Sequence, residues 1–179
     1  MCKFIEQIFM KQKGQIPTDT TIVPNIIVET AIAEVGYTEN PPNSNRTKYG
    51  EWFGFDGVPW CGMFVSWVYA KAGYPLGNIG FLKGFAGCQT AVAHYTKTGE
   101  ITESPVSGDI VFFDWNNDGR YDHTGIYVKD TEKNTRIFIE GNTSLSNQSN
   151  GGAVMERERN NTIKMIFVHP KIVDIQKTL

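Results

Sequence analysis

Cysteine is scarce in this sequence, and long apolar runs are missing. The 179 residues include only three cysteines, Cys2, Cys61 and Cys88, and no two of them have C-x-x-C spacing. An odd number of cysteines without such spacing supports neither a disulfide framework nor a zinc ribbon. No apolar run approaches the roughly 20 residues that a membrane-spanning helix needs. A chain of 179 residues can bury roughly 70% of the surface that it would expose when unfolded, so it needs neither disulfides nor a metal to hold its core.

An excess of positive charge is also missing. Seventeen Lys and Arg stand against 19 Asp and Glu, which gives a formal net charge of −2. Non-specific affinity for nucleic acid comes from clustered Lys and Arg that neutralise several phosphates, and no such cluster is present. We therefore expect no nucleic-acid partner. A content of 40% hydrophobic and 20% charged residues is typical of one ordinary soluble domain.

The N-terminal segment differs from the rest of the chain. Residues 1–24 are mixed in character and end in Pro17 and Pro24, and we expect them to form an arm or a short helix. A single domain then occupies residues 25–179. Within this segment, Glu6 interrupts the short apolar patch, and no small-residue cleavage site follows. The segment therefore does not have the pattern of a signal peptide. We expect a protein made in the cytoplasm that needs another route if it acts outside.

Helical periodicity dominates the first half of the sequence. It predicts helices from Asn25, as N-cap, to Gly36, from Cys61 to Ala72, and from Phe85 to Lys97. Between the first two, residues 38–47 are rich in Pro and Asn and predict a long loop. Pro59 fixes a backbone angle at or just before the first turn of the second helix, which places Cys61 close to its N-terminus.

Strand patterns dominate the second half. Short β-branched or aromatic runs, separated by Gly, Asn and Asp turns, cover residues 109–113, 124–129, 136–140 and 163–169. The connections between these runs are too short for helical crossovers, which favours antiparallel pairing. The sequence thus predicts an α+β fold in which N-terminal helices pack on an antiparallel sheet of about four to six strands.

Cys61 is the candidate nucleophile. A helix N-terminus carries roughly half a positive charge, which lowers the pKa of a thiol placed there. The alternative interpretation is a small apolar core residue, which is the usual environment of a free cysteine. Cys2 lies in the N-terminal segment, and Cys88 has no comparable sequence context.

His123 is the best-placed base for such a thiolate, because it follows an Asn- and Gly-rich turn and opens a predicted strand. Structural roles are expected for His94 and His169. The base in turn needs a partner that fixes its tautomer. Glu140 and Asn142 end the neighbouring predicted strand and are the candidates, although a strand end followed by an Asn turn would have the same pattern.

Four segments together resemble the CHAP domain, the cysteine- and histidine-dependent amidohydrolases/peptidases of the papain-like superfamily. They are Pro-Trp-Cys-Gly-Met-Phe-Val-Ser-Trp-Val at 59–68, Ser-Gly-Asp-Ile-Val-Phe-Phe at 107–113, Asp-His-Thr-Gly-Ile at 122–126 and Ile-Glu-Gly-Asn at 139–142. Each segment alone is weak evidence, but their order is specific as a set. The resemblance spans about residues 26–168 and implies a papain-like fold.

The resemblance implies hydrolysis of amide bonds in bacterial peptidoglycan. The bond cleaved would lie within the stem peptide or cross-bridge, or between N-acetylmuramic acid and L-alanine. Carried over, Cys61 matches the nucleophile, His123 the general base and Glu140 its orienting residue, while Asn142 matches a polar position that assists in some members. Trp52, Trp60 and Trp115 are predicted to bind substrate. This chemistry requires no cofactor.

One acidic loop leaves two interpretations open. Residues 114–122 place oxygen ligands at Asp114, Asn116, Asp118 and Asp122, with glycine at the sixth position, as in half of an EF-hand loop. The twelfth position is Gly125 rather than a bidentate Glu, so the full motif fails. The loop is either a weak Ca²⁺ site or a plain hairpin turn.

Several classes of function remain open. A cell-wall amide hydrolase would act in the periplasm or cell wall after export by a holin, a phage tail or a secretion system, as a phage lysin or as an injected effector with a cognate immunity protein. A non-catalytic module that binds peptides or glycans on the same fold is the alternative. It would have no need of a base and its orienting residue. A protein peptidase and a transferase that uses the same thioester step also remain open.

Overall fold

A computed structural model describes residues 22–147 and 150–171 of the chain. Within these ranges the helices are α1 (Ile22–Ile32), α2 (Lys48–Phe53), α3 (Cys61–Lys71) and α4 (Cys88–Thr98). The strands are β1 (Ile101–Thr102), β2 (Ile110–Asp114), β3 (His123–Asp130), β4 (Thr135–Thr143), β5 (Ala153–Asn160) and β6 (Lys164–Val168). The predicted N-terminal arm lies, except for its last three residues, outside the described part. No helix in the described ranges has the length and apolar character to cross a membrane.

The strands form one antiparallel sheet with the order β1-β6-β2-β3-β4-β5. This confirms the predicted α+β fold. The helices precede the sheet in the chain, and the six strands found in the described residues agree with the four to six that were predicted. The core helix α3 packs on the central strands β3 and β4 and is covered by α1 and α2. A helix enclosed in this way is buried nearly all round, and its residues from Cys61 to Ser66 are all buried.

The predicted bounds of α3 are confirmed to within one residue, while those of α1 and α4 need correction. α1 begins at Ile22, so Asn25 is not its N-cap; Pro24 lies in the first turn, where its missing N–H has no intrahelical partner to lose. α4 begins at Cys88 instead of Phe85. The backbone N–H and C=O of Phe85 are both bonded to the Ser66 hydroxyl, which holds that residue outside the helix.

Three elements were not predicted from the sequence. α2 is a short helix capped by Thr47 and Gly54, and β1 is only two residues long. β5 is an edge strand whose middle reads Glu-Arg-Glu-Arg over residues 156–159. Charged residues are common on sheet edges, but they weaken the apolar alternation by which a strand is recognised.

The sheet separates two apolar clusters. The larger cluster lies between the sheet and the helices and includes Ile110 and Phe112 from β2. The smaller one is built on the alternate residues Val111 and Phe113 of the same strand, together with residues of β3, β4 and β6. Successive strand residues point to opposite faces, so β2 contributes to both clusters.

Candidate active site

Cys61 is the first residue of α3 and is 5% exposed. The amides of a first helical turn have no intrahelical acceptor, so they and the helix dipole favour negative charge at this place. The next residue, Gly62, permits a close approach of another segment. A Cβ added there would lie 2.4 Å from the carbonyl oxygen of Ala86. Only glycine therefore lets α3 approach the segment that leads into α4.

This approach brings Cys88 against Cys61. Ser66 ties the segment before α4 to α3 through its two hydrogen bonds of 2.9 Å with the Phe85 backbone. Cys88 is the first residue of α4 and is buried. Its thiol lies close enough to that of Cys61 for each to shift the pKa of the other. The sequence interpretation overlooked Cys88, and the one available signal was that both cysteines open helices after segments rich in glycine and aromatic residues.

The pKa of the Cys61 thiol is held well below its ordinary value. The largest cause is the interaction with the Cys88 thiol, and His123 acts in the same direction, while burial opposes both. The pKa of Cys88 is in turn raised well above its ordinary value, first by its interaction with Cys61 and then by burial. Of the two thiols, Cys61 is therefore the one that ionises.

His123 opens β3 and Glu140 lies on the adjacent strand β4. The Nε2 atom of His123 lies 3.1 Å from Oε2 of Glu140, and both side chains are fully buried. Gly125 makes room for this contact, because a Cβ added there would lie 2.9 Å from Cγ of Glu140. With Nε2 engaged, Nδ1 is the nitrogen left to exchange a proton with Cys61.

The contact between Cys61 and His123 is close enough to affect both groups but is not a well-aligned hydrogen bond. Nδ1 has no hydrogen bond of good geometry within the described residues. Burial acts to lower the pKa of His123, but the interactions with Cys61 and Glu140 outweigh it and raise this pKa to about 9. A lowered thiol pKa beside a raised imidazole pKa favours a thiolate–imidazolium pair. Catalytic hydrogen bonds are often loose in the absence of substrate.

Glu140 has a second partner, Arg159 of β5, which the sequence interpretation did not find. The guanidinium donates from Nε to Oε1 at 2.9 Å and from one terminal nitrogen to Oε2 at 2.5 Å. Burial acts to raise the pKa of Glu140, but the bonds to His123 and Arg159 outweigh it and hold this pKa below its ordinary value. The available signal was the alternation of Arg157 and Arg159, which places both side chains on one face of a strand.

Asn142 follows Glu140 through a bulge in β4 and has a left-handed backbone with φ of 59°. Its side chain is buried, and Nδ2 donates to Oδ1 of Asn150 at 3.4 Å. Gly141 packs against α3, because a Cβ there would lie 2.6 Å from Cγ of Phe64. Asn142 thus lies two residues after Glu140, and its bond to Asn150 joins it to the following loop.

Comparison with known families agrees with this arrangement. A family model of the CHAP domain matches residues 53–142, which is half of the chain and includes Cys61, His123, Glu140 and Asn142. The chain belongs to the CHAP domain family. Members are in general cysteine- and histidine-dependent amidohydrolases or peptidases, and membership suggests peptidoglycan hydrolase or amidase activity. No curated protein matches the chain.

The Gly-Asp segment of this CHAP domain has a structural function. Oδ2 of Asp109 accepts the backbone N–H of Val106, and Oδ1 lies 2.7 Å from Nδ1 of His169. The carbonyl of Gly108 accepts the Tyr69 hydroxyl of α3 at 2.6 Å. The Tyr69 bond fastens the segment before β2 to the core helix, and the Asp109 bonds join this segment to Val106 and to His169. The structural role expected for His169 agrees with its pairing to Asp109.

The three predicted substrate-binding tryptophans occupy different environments in the CHAP domain. Trp60 is fully buried, stacks on Tyr49 and donates from Nε1 to Glu39 at 3.1 Å. Its side chain is part of the core, which corrects the prediction that it binds substrate. Trp52 is half-buried, with Lys83 Nζ over its ring. Trp115 is half-buried and stacks on Phe113. Substrate binding by Trp52 and Trp115 stays a prediction.

The acidic loop of the CHAP domain is held together by its own hydrogen bonds. Asp114 is buried, accepts the backbone N–H groups of Asp118 and Gly119, and lies 3.0 Å from Nζ of Lys164. No group of three or more His, Cys, Asp or Glu in the described ranges is arranged to hold a metal. Calcium binding by Asp114, Asn116, Asp118 and Asp122 stays a prediction. The geometry favours the plain hairpin turn.

Proposed function

We propose that this CHAP domain hydrolyses an amide bond of peptidoglycan through a thioester on Cys61. The bond is one within the stem peptide or cross-bridge, or the one between N-acetylmuramic acid and L-alanine. The observation that supports the proposal is the buried series Cys61, His123 and Glu140, in which a thiol of lowered pKa meets an imidazole of raised pKa.

The chemistry follows from the protonation states of this series. The Cys61 thiolate attacks the carbonyl carbon of the amide, and the imidazolium of His123 gives its proton to the departing amine as the C–N bond breaks. Water then attacks the thioester, with neutral His123 accepting a proton, and releases a carboxylate and the free enzyme. Amides in the first turn of α3 are suited to stabilise the oxyanion that forms at each stage. Glu140 holds the ring and stabilises its charged form.

A non-catalytic binding module explains these features less well. Binding a peptide or glycan needs polar and aromatic groups, but it does not need a thiol of lowered pKa beside an imidazole of raised pKa. A buried ionic pair costs free energy of desolvation, and binding alone supplies no reason to retain it.

The test is digestion of purified peptidoglycan, with the products identified by mass spectrometry. We expect new termini from one type of amide bond with the wild-type protein and none with Cys61→Ala. His94→Ala is the matched control for His123→Ala, because His94 lies on α4 with its ring against Tyr95. We expect His94→Ala to retain hydrolysis and His123→Ala to lose it. Hydrolysis that survives in folded Cys61→Ala would refute the proposal.

The proposed substrate also sets the place of action. Peptidoglycan lies outside the cytoplasm, so we propose that the protein acts in the periplasm or cell wall. The routes considered are release by a holin, carriage on a phage tail, or injection as an effector with an immunity protein. Capture of a small protein that blocks Cys61 alkylation would favour the effector route.

A further inference from the structure

Arg159 meets Glu140 with the geometry of a bidentate pair. Its Nε and a terminal nitrogen reach different oxygens of one carboxylate, at 2.9 Å and 2.5 Å. The planar guanidinium presents its donors in a fixed fork, so two parallel bonds define the carboxylate plane as well as its position. Oε2, the oxygen shared with Arg159, is also the one that lies 3.1 Å from Nε2 of His123.

The pair is enclosed. Glu140 is fully buried and Arg159 is 4% exposed. The guanidinium carbon lies 4.9 Å from the ring centre of Trp115 and 5.9 Å from that of Phe113. These two rings stack on each other beside His123. A buried carboxylate without a cation would be costly, so Arg159 stabilises the charge that Glu140 presents to the histidine.

We propose that Arg159 is a positioning residue of the active site, which holds the Glu140 carboxylate ionised and in the plane that directs Nδ1 of His123 towards Cys61. This inference rests on the proposed function. Arg159 lies outside residues 53–142, the part of the chain that the family model matches. It acts through Glu140 and His123 and reaches no substrate atom itself.

The charges around this group determine the expected pH effect. Glu140 is faced by His123 from β3 and by Arg159 and Arg157 from β5. His123 is faced by Cys61 of α3, and Cys61 has Cys88 of α4 as its neighbour. Removal of the guanidinium charge raises the pKa of Glu140, because a close opposite charge that favours the carboxylate is lost. Once Glu140 is neutral, the imidazolium loses its partner and the Cys61 thiolate becomes less stable.

The experiment compares Arg159→Met, Arg159→Lys and Arg136→Met. Arg136 is the control because it lies opposite Arg159 on β4 and pairs with Asp130 instead of Glu140. Two readouts are measured against pH: kcat on peptidoglycan fragments, and the rate of Cys61 alkylation by iodoacetamide, followed by peptide mapping. The alkylation rate reports the thiolate without any substrate.

For Arg159→Met we expect the acidic limb of both profiles to move to higher pH, with a loss of up to about 100-fold in kcat from misplacement of the reacting groups. Arg159→Lys keeps the charge without the fork, so we expect its acidic limb near that of the wild type and only part of the kcat restored. Arg136→Met should match the wild type.

Profiles of folded Arg159→Met that match those of Arg136→Met would overturn the proposal. Should Arg159→Met fail to fold, Arg159→Lys decides, because an unchanged kcat in that variant refutes positioning by the fork. If the wild-type protein does not cleave peptidoglycan but the alkylation profile shifts as expected, the proposed function fails and the role of Arg159 stands. If the wild-type protein cleaves peptidoglycan but the alkylation profile does not shift, the role of Arg159 fails and the proposed function stands.

Discussion

Cys61 and Cys88 are each the first residue of a helix, and their buried thiols lie close enough to shift each other's pKa in opposite directions. Two helix N-termini therefore face one buried pair of sulfur atoms. The field of both helices favours negative charge there, and the neighbouring Cys88 thiol lowers the pKa of Cys61.

Replacement of Cys88 should make Cys61 less acidic. The Cys88 thiol is the largest cause that lowers the pKa of Cys61, so we expect Cys88→Ala to raise this pKa and to move the onset of Cys61 alkylation to higher pH. Cys88→Ser keeps a donor and should show a smaller rise. The measurement is the pH dependence of Cys61 alkylation, and an unchanged profile in Cys88→Ala would show that the Cys88 thiol does not control Cys61.

Gly125→Ala should lower the activity although it removes no polar group. The added Cβ would lie 2.9 Å from Cγ of Glu140 and 2.9 Å from the carbonyl oxygen of Ile139, so Glu140 must move away from His123. We expect kcat to fall by about tenfold or more, as for other losses of an orienting contact. Gly152→Ala is the control, because a Cβ there makes only ordinary contacts with Glu39. Equal kcat values for the two variants would contradict this account.

Glu140→Gln should destabilise the fold in a pH-dependent way. The pKa of Glu140 is held below its ordinary value, so its contribution is present above the unfolded pKa and is lost as the pH falls. The pKa of His123 is raised to about 9, so its part is present below the unfolded value of about 6.5 and is lost as the pH rises through about 9. We expect a difference of about 3 kcal/mol in the free energy of unfolding near pH 6, because one partner of a buried ion pair is removed.

The difference in the free energy of unfolding should shrink in acid and again above about pH 9. Part of it should remain in alkali, because Arg159 stays charged. Urea unfolding of both proteins across this pH range measures it. Glu156→Gln is the control, because Glu156 is exposed on β5, and surface changes of this kind usually stay within about 0.5 kcal/mol. A constant difference for Glu140→Gln at every pH would contradict the linkage.

Chelation should leave the protein unchanged. Asp114 is already engaged by two backbone N–H groups and Lys164, so the 114–122 turn needs no ion. We expect the same Tm and the same hydrolysis rate with and without EDTA. A loss that calcium restores would show that the turn rearranges around an ion.

Much of this site could be predicted from local sequence. Pro59 before Cys61 and Gly73 with Pro75 after it determine where α3 begins and ends, because helix bounds depend on residues within a few positions. His123 and Glu140 were found in the same way, as ends of short strands. The structure places them in contact as expected, whereas it buries Trp60, because a large aromatic ring beside a core helix is more often packed than exposed.

The sequence by itself determined the core helix with its leading cysteine, the antiparallel strands and the family. Only the tertiary structure decided which groups adjust the chemistry of Cys61 and Glu140. Cys88 comes into contact because Gly62 and Ser66 let the segment before α4 pack against α3, and Arg159 comes into contact because β5 pairs with β4 as an edge strand. Such contacts depend on how elements distant in the chain pack, and no local pattern of apolar spacing or caps encodes them.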